Sequence, residues 1–276
     1  MLYTASWAGV TVLIHIDDVA LKDRAERFLA LAMTPAPRST VEPAITVSRD
    51  DHGWHFTAPI GPSFLENDDD AVILLTMLLA DAFELRSPYP VLHAGAFVAD
   101  GGAVIYLADL AQGKSSHTFA AWRRGYAILG DDRIALRLEE RAAQAIPKCV
   151  KLRIHDSHVP GEWRDLVANG ESVIGGYADD RRWMISRGLP RVTDCESMIP
   201  IHAIALLRRI DNGLSHVDTI PLSSVIKATL DYMTLGDNTP MDVLRFMKGY
   251  ALTGKLPRVN VAPGDMERGV ELLAGL

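Results

Sequence analysis

Apolar positions along the chain change period several times, and each change marks an element. Val10-Thr11-Val12-Leu13-Ile14-His15-Ile16 is rich in β-branched residues and reads as a strand. From Val19 to Met33 apolar residues recur at helical spacing, and Pro35-Ala36-Pro37 closes the run. Ala44–Ser48 and Trp54–Thr57 alternate around Asp50-Asp51-His52-Gly53, the pattern of a hairpin. Ala71 to Ala80 is the longest apolar run. Asp68-Asp69-Asp70 before it suits a helix N-terminus, and Ser87-Pro88 stops a helix, so a buried helix is expected over about 70–85. Ala103–Leu107, bounded by Gly101-Gly102, reads as a strand; Ser116–Arg124 follows as a short helix, and Tyr126–Leu129 as another strand. Further on come a long strand over Ile199–Ile210 and helices over 222–235 and 241–252, with Pro240 at the tolerated first position of the second. A last strand over 256–261 and a last helix over 265–273 complete the pattern.

These elements sum to an α/β (mixed α+β) chain. Residues 1–66 read as a small α+β lobe with no concentrated chemistry, and 67–276 as one larger domain. Residues 156–197 are glycine-rich and charged, with Asp179, Asp180, Arg181, Arg182 and Arg187. Both a solvated hairpin with loops and an insertion that meets a peptide fit that stretch.

Composition narrows the function classes. The chain has 276 residues, 48% hydrophobic and 23% charged, with net charge −7. No basic block or basic-aromatic stripe points to nucleic acid. Cys149 and Cys195 are too few for a disulfide framework or metal cluster, so a reducing compartment, the cytoplasm, is expected. Met1 to Trp7 lacks the features of a signal peptide, and the run from Ala71 is too short to span a bilayer, so no membrane role is expected.

Chemistry concentrates in Ala108-Asp109-Leu110-Ala111-Gln112-Gly113-Lys114-Ser115. Its tail is the end of a phosphate-binding loop, set between a strand and a helix as such a loop requires. Backbone N–H groups of the loop and of the helix start, Gly113 and Ser116 included, can point at phosphate oxygens. Lys114 would reach the outer phosphates, and the Ser115 hydroxyl would help hold Mg²⁺. The full G-x-x-x-x-G-K-[ST] pattern is worn, with Ala108 at the first glycine position. Gly130-Asp131-Asp132 follows the strand at 126–129, where carboxylates can hold Mg²⁺ or take a proton from a nucleophile. Spacing does not say which aspartate does which. His93, among small and apolar residues, reads equally as a core histidine or a site residue. Asp109 reads as a group facing the γ-phosphate or as a loop cap. Lys148 and Lys151 are weaker candidates for a phosphate or an acidic partner.

Residues 91–136, with His93, Gly113-Lys114-Ser115, Arg124-Gly125 and Asp131-Asp132, resemble the catalytic core of HPr kinase/phosphorylase-like proteins, most closely the divergent relatives that include lasso-peptide kinases. Ala108, Leu110, Ala111 and Gln112 depart from that family's loop, and its glycine-rich C-terminal signature is absent. The resemblance implies the P-loop core shared with phosphoenolpyruvate carboxykinases. It also implies ATP and Mg²⁺ as cofactors, and a serine kinase acting on a protein or peptide. ATP would contact Asp109, Ala111, Gln112, Gly113, Lys114, Ser115 and Ser116. Ser115 and Asp132 would stand on the metal side, Asp131 would be the base, and His93 would sit near the phosphate. A homo-oligomer is plausible by the same likeness. The alternative is a non-catalytic nucleotide- or partner-binding module with a degenerate loop.

Overall fold

The computed structural model describes residues 1–37, 40–109, 112–148, 150–153, 172–175, 182–185, 192–231, 233–251 and 255–276. It is a mixed α and β chain that divides into two compact units, Met1–Arg86 with Ile146–Leu189, and Ser87–Ala145 with Pro190–Leu276. No described helix is long and apolar enough to cross a membrane.

The first unit is built on a sheet of β1 (Leu2–Trp7), β2 (Val10–Ile16), β3 (Met33–Pro35), β4 (Ile45–Arg49), β5 (Trp54–Ala58) and β6 (Gly61–Leu65), in the order β3-β1-β2-β4-β5-β6. Ala8 and Gly9 both take positive φ, the backbone of a tight hairpin turn, and so pair β1 with β2. Two helices accompany the sheet, α1 (Val19–Leu29) and α2 (Asp68–Arg86). Asp18 caps α1 by accepting the Leu21 N–H at 2.8 Å. The helix stops at Leu29, short of the expected Met33. Ala30 turns left-handed, and Met33 instead pairs with Ala5 while its N–H bonds to Glu26. Sheet pairing overrides helical spacing there. In α2, apolar side chains are buried almost all round, as expected of a helix with no polar stripe.

A further small sheet of this unit has the order β13-β15-β14, from β13 (Val150–Arg153), β14 (Ser172–Gly175) and β15 (Arg182–Ile185). Asp179, Asp180, Arg181 and Arg187 lie outside the described residues.

The second unit holds β7 (Val91–Leu92), β8 (Gly95–Ala99), β9 (Gly102–Leu107), α3 (Lys114–Arg123), β10 (Ala127–Gly130), β11 (Ile134–Arg137) and β12 (Ala142–Ala145). After β16 (Met198–Arg209) and β17 (His216–Pro221) come α4 (Leu222–Asp231), β18 (Met233–Thr234), α5 (Pro240–Lys248), β19 (Lys255–Val261) and α6 (Met266–Ala274). The strands form one sheet, with β16 as its spine. The start of β16 pairs with β12, its middle runs parallel to β9, and its end runs parallel to β19. The carboxyl ends of three neighbouring parallel strands therefore lie together, which is where open α/β sheets place their ligands. Helices α3 and α6 pack on each other, α3 against β8 and α6 against β19. The core beneath them is apolar, with Phe97, Ile105 and Val259 fully buried.

Candidate active site

The loop after β9 has the expected order of strand, loop and helix. Gly113 is the N-cap of α3 at φ 91°, a conformation that favours glycine, and its carbonyl accepts the His117 N–H at 2.9 Å. Lys114 is the first helical residue, and its Nζ reaches back across the loop to donate to the Ala108 carbonyl at 2.5 Å. Burial lowers the pKa of this ammonium, while Asp132, Asp109 and Asp131, in falling order of effect, oppose the shift. Ser115 is half-buried and Ser116 exposed on the first turn. Asp109 is exposed, and its carbonyl accepts the Gln112 N–H at 3.3 Å. The Gln112 side chain in turn accepts the Arg209 N–H at 2.8 Å, tying the loop to the end of β16. Ala111 and Leu110 lie outside the described residues.

The aspartates are placed by two chain links that run side by side. His93-Ala94 joins β7 to β8, and Asp131-Asp132-Arg133 joins β10 to β11. Because β7 pairs with β11 and β8 with β10, the links face each other, and the Ala94 N–H bonds to the Asp132 carbonyl at 3.1 Å. Across the links His93 Nδ1 lies 2.9 Å from Asp132 Oδ1. The neighbouring carboxylates have different surroundings. Asp131 is buried at 4% exposure, whereas the Asp132 side chain keeps 23%.

Two residues that the sequence reading passed over support this frame. Tyr106 is fully buried on β9, and its hydroxyl lies 2.5 Å from Thr118 Oγ1. Thr118 spends its own proton on the Lys114 carbonyl at 3.1 Å, so Tyr106 is the donor to Thr118. Burial raises the Tyr106 pKa strongly and Asp131 adds to the rise, so the phenol keeps its proton. The available signal was a tyrosine inside an apolar strand, whose hydroxyl must find a partner when buried. His117 is also buried; burial lowers its pKa, and its Nδ1 lies 2.9 Å from the Gly113 carbonyl.

A cleft of about 600 Å³ opens beside the loop. His93, Asp109, Gln112, Arg208, Arg209 and Arg258 are among the residues that line it. The described residues contain no group of three or more His, Cys, Asp or Glu able to hold a metal. Mg²⁺ does not require such a group, because it commonly takes one or two carboxylates and completes its shell with phosphate and water. Lys148 is buried and belongs to the other unit; the Lys151 side chain, His155 and His158 lie outside what is described.

No protein-family model matches the chain, and no curated protein matches it. Among solved structures it is similar to the Hpr(Ser) kinase/phosphatase from Coxiella burnetii, at 15% identity and a TM-score of 0.32, over 67% of this chain and 93% of that chain. A likeness of that size identifies no chemistry.

Proposed function

We propose that the chain is a cytoplasmic, ATP-dependent kinase that phosphorylates a serine hydroxyl on a protein or peptide. The observation that carries this reading is the strand–loop–helix turn that sets Lys114 at the start of α3, with Asp109 and Gln112 of the same loop lining an open cleft. Phosphoryl transfer asks chiefly for positioning and charge neutralisation, and these residues supply both. The loop N–H groups, Lys114 and Ser116 hold the phosphates. Ser115 and Asp132 would hold Mg²⁺, which neutralises phosphate charge when bound. His93 positions Asp132 through its contact with Oδ1. Asp131 accepts the proton of the serine hydroxyl as the serine oxygen bonds to the γ-phosphorus; the bond from that phosphorus to the bridging oxygen breaks, and ADP leaves.

The second reading, a non-catalytic binding module, is favoured by one feature. Lys114 Nζ already donates to the Ala108 carbonyl within a glycine-poor loop. Calorimetry with ATP and Mg²⁺, run beside transfer of labelled γ-phosphate to serine peptides, separates the two. ATP binding without transfer to any serine favours the module, and absence of binding removes both.

A further inference from the structure

The cleft has a wall that the kinase chemistry above does not use. Arg208 and Arg209 end β16, are exposed, and both line the cleft. Neighbours on a strand point to opposite faces, but both residues border the cleft where β16 ends. Their companion Arg258 is occupied: its Nε and Nη2 bond to the two oxygens of Asp218, at 2.9 and 2.5 Å. Neither Arg208 nor Arg209 makes an ion pair or side-chain hydrogen bond with another described residue. This is unexpected in a chain with 35 acidic against 28 basic residues, where acidic partners are plentiful. Asp109 and Asp211 also border the cleft without bonding to either arginine. Adjacent like charges repel, and an anion between them relieves that repulsion.

The loop fixes the backbone of Arg209, from which its side chain leaves. Gln112 Oε1 holds the Arg209 N–H at 2.8 Å, and Gln112 lies immediately before Gly113 and Lys114. The end of β16 is thereby locked to the helix start that would carry phosphate. A guanidinium presents several donors in a planar fork that matches phosphate oxygens.

We propose that Arg208 and Arg209 form a second wall of an oligophosphate site, taking the part of a phosphate chain that extends beyond the Lys114 loop, with Gln112 as the residue that positions them. This rests on the phosphate-loop reading of the site and names its ligand chemistry as a linear phosphate chain. That chain belongs to a nucleoside triphosphate or to an inorganic polyphosphate.

The test is equilibrium binding of ATP, inorganic tripolyphosphate and adenosine to the wild type, Arg208→Ala/Arg209→Ala, Gln112→Ala and Lys114→Ala, at several salt concentrations. The double arginine variant is expected to lose roughly tenfold or more in tripolyphosphate and ATP affinity, with a shallower salt dependence and no change for adenosine. Gln112→Ala is expected to lose part of that. Tighter wild-type binding of ATP than of tripolyphosphate marks the nucleotide as the source, and equal binding marks the inorganic chain; both support the site. Unchanged tripolyphosphate affinity in the double variant, while Lys114→Ala loses it, overturns the arginine wall and leaves the loop reading standing. Loss in the double variant without any phosphoryl transfer supports the wall and overturns the kinase. A wild type that binds neither phosphate compound overturns both.

Discussion

His93 Nδ1 sits 2.9 Å from Asp132 Oδ1, and the contact joins two links that cross from one half of the sheet to the other. His93 thereby fixes the orientation of one of two adjacent carboxylates and leaves the other, Asp131, buried.

The first prediction separates those carboxylates. Asp132→Asn should weaken Mg²⁺-dependent ATP binding, because a neutral amide coordinates Mg²⁺ less well, and His93→Ala should weaken it by a smaller factor through lost orientation. Asp131→Asn should leave affinity nearly intact and lower turnover by roughly 10²–10⁴. Titrations with and without Mg²⁺, beside turnover assays, read both. Normal transfer in both aspartate variants removes the pair from the mechanism.

Lys114→Ala should cost about 1.5–3 kcal/mol of ATP affinity, roughly 10- to 150-fold, the value of a charge-assisted phosphate contact. The pH dependence has a definite sign. Phosphate binding needs the ammonium, and burial sets its pKa below the ordinary 10.5. Affinity should therefore fall as pH rises through that lowered value, and the fall should be absent in Lys114→Ala. Calorimetry across the alkaline range checks it; a wild-type profile identical to the variant's rejects the assigned role.

His117 makes the loop acid-sensitive. Its folded-state pKa is lowered from 6.5 by burial, partly offset by the Gly113 carbonyl. The unfolded chain then holds more protons below pH 6.5, so stability is fully present above 6.5 and declines as pH falls toward the lowered value. His117→Gln should flatten that decline in urea-unfolding midpoints. An equally steep decline in the variant assigns the acid loss to other groups.

Gly95 and Tyr106 form a size-matched pair across β8 and β9. A Cβ at Gly95 would collide with the Tyr106 ring, so Gly95→Ala should destabilise the fold by about 1–3 kcal/mol through overpacking. Tyr106→Phe should cost about 1 kcal/mol, because Thr118 loses its buried donor. Thermal melts read both. A neutral Gly95→Ala would mean that the ring has room to move.

By itself the sequence determined the elements whose pattern is local. The strand at 102–107, the glycine at the start of α3 and the long strand near 200 follow from β-branched runs, a residue tolerant of positive φ and strong apolar periodicity. Gly113-Lys114-Ser115 was readable as a loop end because its chemistry lies in consecutive residues. Leu2–Trp7 and Gly61–Leu65 were not recognised as strands, and the α1 pattern ran on past its true end, since pairing with distant or neighbouring strands decides those residues. Only the tertiary structure set His93 against Asp132, Thr118 under Tyr106, and Arg209 beside Gln112. Each contact joins residues far apart along the chain or on different elements, and is fixed by strand register and helix packing. A hydroxyl, a guanidinium or a carboxylate carries no mark in the sequence of the partner that sheet order will bring to it.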